Sequence, residues 1–219
     1  MPRNLSFRAA NARRVRIAEE AARILMEEGV TDYGSAKRKA ALRIGEKSHG
    51  QHLPSNQEIE SVLSRRQRLY APGEMEGRVQ RMREAAWRFM ALLEPLEMRL
   101  AGGALTSVGP NAMEVDLHVF ADAPEIVAFR LLEAGIDYRL AERRLRFKGG
   151  EGVFPVYRVE QESPPIHLTV FDADDIRQAP LSPIDGRPMR RVGRHELGQL
   201  LRRSIVDRIP GEFQDFPER

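Results

Sequence analysis

Apolar positions in the first hundred residues recur at helical spacing. Ile17, Ala21, Ile24 and Leu25 stand at i, i+4, i+7 and i+8, one face of an α-helix, and Gly29 follows as a left-handed stop. A second helix is predicted over about 32–44, capped by Thr31 or Asp32 and ended by Gly45. Ser55-Asn56-Gln57-Glu58 is a capping box just after Pro54. It opens a third helix that carries Ile59, Val62, Leu63 and Leu69. Pro72-Gly73 interrupts the chain. The helix beyond it holds Val79, Met82, Ala86, Phe89, Met90 and Leu93, with Trp87 expected in the core, and Pro95 ends or kinks it.

From about Met98 the period shortens to two. Met113, Val115, Leu117 and Val119 take one side of a predicted strand; Glu114, Asp116 and His118 take the other. Pro124 suits a first helical turn, and Ile126, Phe129 and Leu132 form the expected apolar stripe of a short helix stopped by Gly135. Tyr138 to Phe147 reads as an arginine-rich strand, 148–152 as a turn, and Val153–Val159 with Ile166–Phe171 as a hairpin. The tail contributes one helix, about Glu196 to Arg208, and proline-rich loops over 179–189 and 209–217. The predicted fold is α/β (α+β): a helical region over 1–95, a small mixed sheet over 96–175, and a loop-and-helix tail over 176–219.

Composition narrows the function classes. The chain of 219 residues has 35 Lys+Arg against 32 Asp+Glu, a formal charge of +3, so bulk charge selects no partner. It has no cysteine, which removes disulfide scaffolds, thiol nucleophiles and cysteine-ligated zinc. No run approaches the roughly 18–20 apolar residues of a membrane span. The five arginines of residues 1–18 are not followed by a secretory apolar run, so a cytoplasmic protein without a membrane partner is expected. That basic arm reads either as a phosphate-gripping segment or as a solvated, partly disordered terminus.

Candidate chemistry concentrates between residues 99 and 118. Glu114 and Asp116, two apart on a strand, point to the same side, and adjacent carboxylates repel unless a cation lies between them. Gly102-Gly103 permits close backbone approach to a phosphate. The same letters also describe the solvated face of any half-buried sheet and a common turn.

Gly102-Gly103, Gly109 and Glu114-Val115-Asp116-Leu117 together resemble the signature of the nucleotidyltransferase superfamily, the polymerase-beta-like fold, over residues 98–172. The resemblance implies Mg²⁺- or Mn²⁺-dependent transfer of a nucleoside monophosphate from a nucleoside triphosphate to an acceptor that nothing in the chain selects. Glu114 and Asp116 would be the catalytic and metal-binding acids, and Gly102 and Gly103 would hold the triphosphate. Arg144 or Lys148 would neutralise its charge. Three positions depart from the pattern. Glu114 replaces the first aspartate, Gly103 replaces a serine, and His167 and Thr169 stand where a third acid is expected. Asp172, Asp174, Asp175, Glu160 and Glu162 lie nearby in sequence.

Two other readings stay open. A catalytically inactive member of that fold would bind nucleotide or nucleic acid. Residues 15–45 also read as a helix-turn-helix DNA-binding regulator, with Lys37, Arg38 and Lys39 on the second helix. Arg139, Arg143, Arg144, Arg146 and Lys148 suit either a phosphate groove or a charged edge strand. No P-loop, His-Glu-x-x-His or Gly-x-Ser-x-Gly motif is present.

Overall fold

The structure is a computed structural model, and it describes residues 3–28, 30, 32–46, 53–70, 72–106 and 114–206. Gly29, Thr31, Gly109, Met113 and the stretch 207–219 lie outside the described residues, as does the side chain of Leu69. Four helices come first: α1 (Arg3–Glu27), α2 (Tyr33–Arg43), α3 (Asn56–Tyr70) and α4 (Pro72–Leu92). Strand β1 (Glu97–Ala101), short helix α5 (Gly103–Thr106), β2 (Val115–Phe120), α6 (Pro124–Glu133), β3 (Arg139–Phe147), β4 (Gly150–Val159) and β5 (Ile166–Phe171) follow, and α7 (Arg194–Val206) comes last.

Local chemistry sets these limits. Asp32 caps α2 by accepting from the Ser35 N–H at 2.6 Å. The capping box of α3 is formed: the Ser55 N–H donates to Glu58 at 2.6 Å, and the Glu58 N–H donates to Ser55 Oγ at 3.2 Å. The basic arm is a correction to the expected loose terminus. With no glycine or proline between Arg3 and Glu28, α1 runs unbroken from Arg3, and Arg14 fastens it to Glu58 of α3 at 2.8 Å.

Two apolar cores result. Ile17, Ile24, Tyr33, Ile59 and Leu63 join α1, α2 and α3 in a small bundle. Along the chain α4 belongs with the helices, yet in space Met82, Phe89, Met90 and Leu93 join the core of the sheet, together with Leu197 of α7. The sheet has the order β1-β2-β5-β4-β3, with β2 and β5 parallel and the other pairs antiparallel. The mixed α/β fold and the 153–171 hairpin are as the alternation predicts. β3 is an edge strand.

Two apolar expectations are overturned. α6 buries Val127 and Leu131, leaving Ile126, Phe129 and Leu132 exposed at 38%, 67% and 61%. Val127, Leu131 and Ala134 form an i, i+4, i+7 stripe of their own, and the surface being covered chooses between two such stripes. Trp87 is 39% exposed, and the Arg194 guanidinium lies 4.7 Å from its ring centroid, so the indole serves as a platform at the surface.

The loop between β5 and α7 is fastened at three places. Its Leu181 N–H donates to the Arg146 carbonyl at 2.6 Å, its Pro183 carbonyl accepts from Asn56 at 2.5 Å, and Val192 exchanges backbone hydrogen bonds with Leu100. Ile184 packs against the bundle core. Among the described residues no helix is long and apolar enough to cross a membrane.

Candidate functional site

Alternation assigns each side chain of the sheet to one of two faces. Val115, Leu117 and Val119 of β2 and Ile166, Leu168 and Val170 of β5 face the helices and form the apolar core. Asp116, His118 and Phe120 face the other way, opposite His167, Thr169 and Phe171 in register. This second face is also removed from water: Asp116 is 8% exposed, and His118 and Thr169 are fully buried.

The glycine corner meets the acid. β1 pairs Ala101 with Asp116, and the next residue, Gly102, turns at φ +69°. A Cβ on Gly102 would sit 3.4 Å from the Cβ of Asp116 and 3.7 Å from its Oδ2, in ordinary contact, and the positive φ would strain a side chain there. Gly103 then opens α5, whose Ala104 carbonyl accepts from Arg83 Nε at 2.8 Å.

Each carboxylate has a nitrogen-bearing side chain against it. Arg143 Nη1 donates to Asp116 Oδ1 at 2.8 Å and to Oδ2 at 2.9 Å, straddling the carboxylate. His167 Nδ1 lies 3.1 Å from Glu114 Oε2, a contact without hydrogen-bond alignment. The imidazole beside it holds the Glu114 carboxyl below its ordinary range against the opposing effect of burial. Burial pushes His118 down to about 4, so its ring is neutral at pH 7. Its two nitrogens and the Thr169 hydroxyl are buried without a hydrogen-bond partner among the described residues. Phe171 lies 4.7 Å from the His118 ring, and Arg191 covers Phe120 at 5.3 Å.

The residues expected to neutralise phosphate separate here. Arg143 shares the face of Asp116, through the register Asp116–His167–Arg158–Arg139 and the alternation along β3. Arg144 has the opposite parity, is 72% exposed in its side chain and lies 3.9 Å from Glu151. Lys148 occupies the turn between β3 and β4. Arg143 and Arg158 therefore stand where Arg144 and Lys148 were expected. The alternation of β3 carries that distinction, although only the strand order tells which parity meets Asp116.

The donor set fits one magnesium ion in part. Glu114, just before β2, and Asp116 within it supply hard oxygens, and such an ion ordinarily completes its shell with water and substrate phosphate. Among the described residues no three histidine or acidic side chains are grouped closely enough to hold an ion. His167 occupies the register position opposite Asp116, Asp172 and Asp174 lie exposed past the far end of β5, and Glu160 is paired with Arg139 at 3.2 Å.

In the helical region, Lys39 contacts Glu28 at 2.6 Å, Arg43 pairs with the same carboxylate, and Arg38 donates to Ser35. Lys39 and Arg43 are thus paired with Glu28 at the end of α1, while Arg38 stays exposed on its own helix. No family model, curated protein or solved structure matches this chain.

Proposed function

We propose that the protein binds a nucleoside triphosphate and a divalent cation at the corner formed by Gly102, Gly103, Glu114 and Asp116, and transfers a nucleoside monophosphate to an acceptor. The observation that carries this reading is the position of Gly102, which sets a left-handed backbone turn in contact with the buried carboxylate of Asp116. Gly102 and Gly103 bring backbone close to polyphosphate, and Glu114 and Asp116 hold the cation. Arg143 and Arg158 add positive charge on the same face. Mg²⁺ or Mn²⁺, when bound, would offset phosphate charge and polarise the phosphorus centre. The buried walls supplied by His118, Thr169 and Phe171 lower the local dielectric and strengthen each of these interactions.

A second reading is favoured by His167. It stands on the neighbouring strand in register with Asp116, where a further acid would serve as ligand or base, and it pairs instead with Glu114. Such a site could bind nucleotide without turning it over.

The test is a melting-temperature panel with ATP, CTP, GTP and UTP, each with Mg²⁺ or Mn²⁺, on the wild type and on Asp116→Asn. At least one metal–triphosphate pair should raise the wild-type melting temperature, and the variant should lose that rise. Pyrophosphate release in the presence of candidate acceptors separates the enzyme from the binder. If no triphosphate shifts the wild type, the proposal fails.

A further inference from the structure

The geometry points to Arg143 as an internal occupant of the cation position at Asp116, displaced when a divalent cation binds and then free to take the triphosphate. The inference rests on the proposed nucleotide site and concerns how that site is gated.

Both Asp116 oxygens already lie within 2.9 Å of Arg143 Nη1, so a divalent cation arriving there would meet a guanidinium on the same two atoms. Two cations that close repel, and the carboxylate cannot serve both at full strength. Arg143 is also an improbable partner by position. It sits on edge strand β3, with β4 and β5 intervening before β2. Three inter-strand gaps of about 4.8 Å put these backbones roughly 14 Å apart in a flat sheet. The bond therefore exists because the β3–β4 ribbon curls over the face of Asp116. β4 pairs with β5 only over Val156–Val159, while its outer half, paired with β3 from Glu142 to Phe147, carries no ladder to β5. That half is tied down by Phe154 packed 4.8 Å from Phe171 and by the Leu181 N–H on the Arg146 carbonyl, so release of Arg143 needs only local opening of the segment between those ties.

A released Arg143 keeps its charge and its donors, and phosphate oxygens match a guanidinium fork. Gly102 is next to Asp116, so phosphates held at that corner lie beside the position Arg143 vacates. Two consequences follow by linkage. Cation alone binds weakly, because it must first expel Arg143, and cation with triphosphate binds cooperatively, because the expelled side chain gains a new partner.

The experiment measures Mn²⁺ binding by electron paramagnetic resonance, with and without ATP, in the wild type, Arg143→Ala and Arg143→Gln. Without ATP, both variants should bind Mn²⁺ about tenfold more tightly than the wild type, inside the usual coupling range of roughly 5–150-fold. ATP should tighten Mn²⁺ binding in the wild type and do so much less in the variants. On the wild type alone, hydrogen exchange over residues 142–155 should quicken when Mn²⁺ is added without nucleotide and slow when ATP follows. If the wild type and the variants take Mn²⁺ equally, with the ribbon's exchange unmoved, the gating is overturned while the nucleotide site stands. If Mn²⁺–ATP binds to none of them, both readings fall.

Discussion

On the central strands β2 and β5 the two faces of the sheet are both buried and chemically opposite. One presents Val115, Leu117, Val119, Ile166, Leu168 and Val170 to the helices, and each of these meets apolar neighbours. The other presents Asp116, His118, His167 and Thr169, buried to a similar degree, and several of their polar atoms find no partner among the described residues. Burial of the first kind lowers the free energy of the fold, whereas burial of the second kind raises it unless something else completes the bonds. Both kinds of burial share the same two central strands, β2 and β5.

The largest expected effect tests the apolar face. Leu168→Ala should cost about 2–5 kcal/mol in chemical denaturation, since a fully buried leucine leaves a cavity the strands cannot close. A loss under about 1 kcal/mol would show that the sheet repacks freely, and the contrast between faces would weaken. His118→Leu, on the opposite face, should gain about 1–3 kcal/mol, because two unpartnered ring nitrogens are replaced by carbon. A comparable loss of stability would mean that ordered water completes those bonds in solution.

The smallest effect belongs to the bundle surface, where charges are paired in contact with solvent. Arg43 first and Lys39 second hold Glu28 down to about 2, below its ordinary 4.5. A carboxyl depressed in the folded state stabilises fully above about 4.5, and that contribution is lost as the pH falls through about 2. Glu28→Gln should therefore match the wild type closely at pH 7 in high salt. It should also flatten the loss of melting temperature between pH 4.5 and 2, read by circular dichroism. An unchanged acid profile would remove Glu28 from the balance.

Much of the scaffold was legible because its signals are local. Ser55 and Glu58 cap a helix within four residues of each other, and the alternation of β2 is complete without reference to any other strand. The orientation of α6 was not legible. Two apolar stripes compete on ten residues, and the sheet decides between them. In the candidate site, the shared direction of Glu114 and Asp116 follows from period two, and the glycine corner is visible as a dipeptide. The role of Arg143 is not visible in this way. It depends on strand order and on curl, which place residue 143 against residue 116 and leave Arg144 outside. Alternation alone also suggested a wet second face; only the three-dimensional cover of Phe171, Phe120 and Arg191 makes it dry.

The stretch from Leu181 to Val192 acts as a spacing gauge. It is pinned to Arg146 on the ribbon, to Asn56 on the bundle and to Leu100 on β1. Adding or deleting one residue between the outer pins forces at least one of the three to open, so the length of this single loop sets how far the arginine ribbon, the helices and the first strand stand from one another.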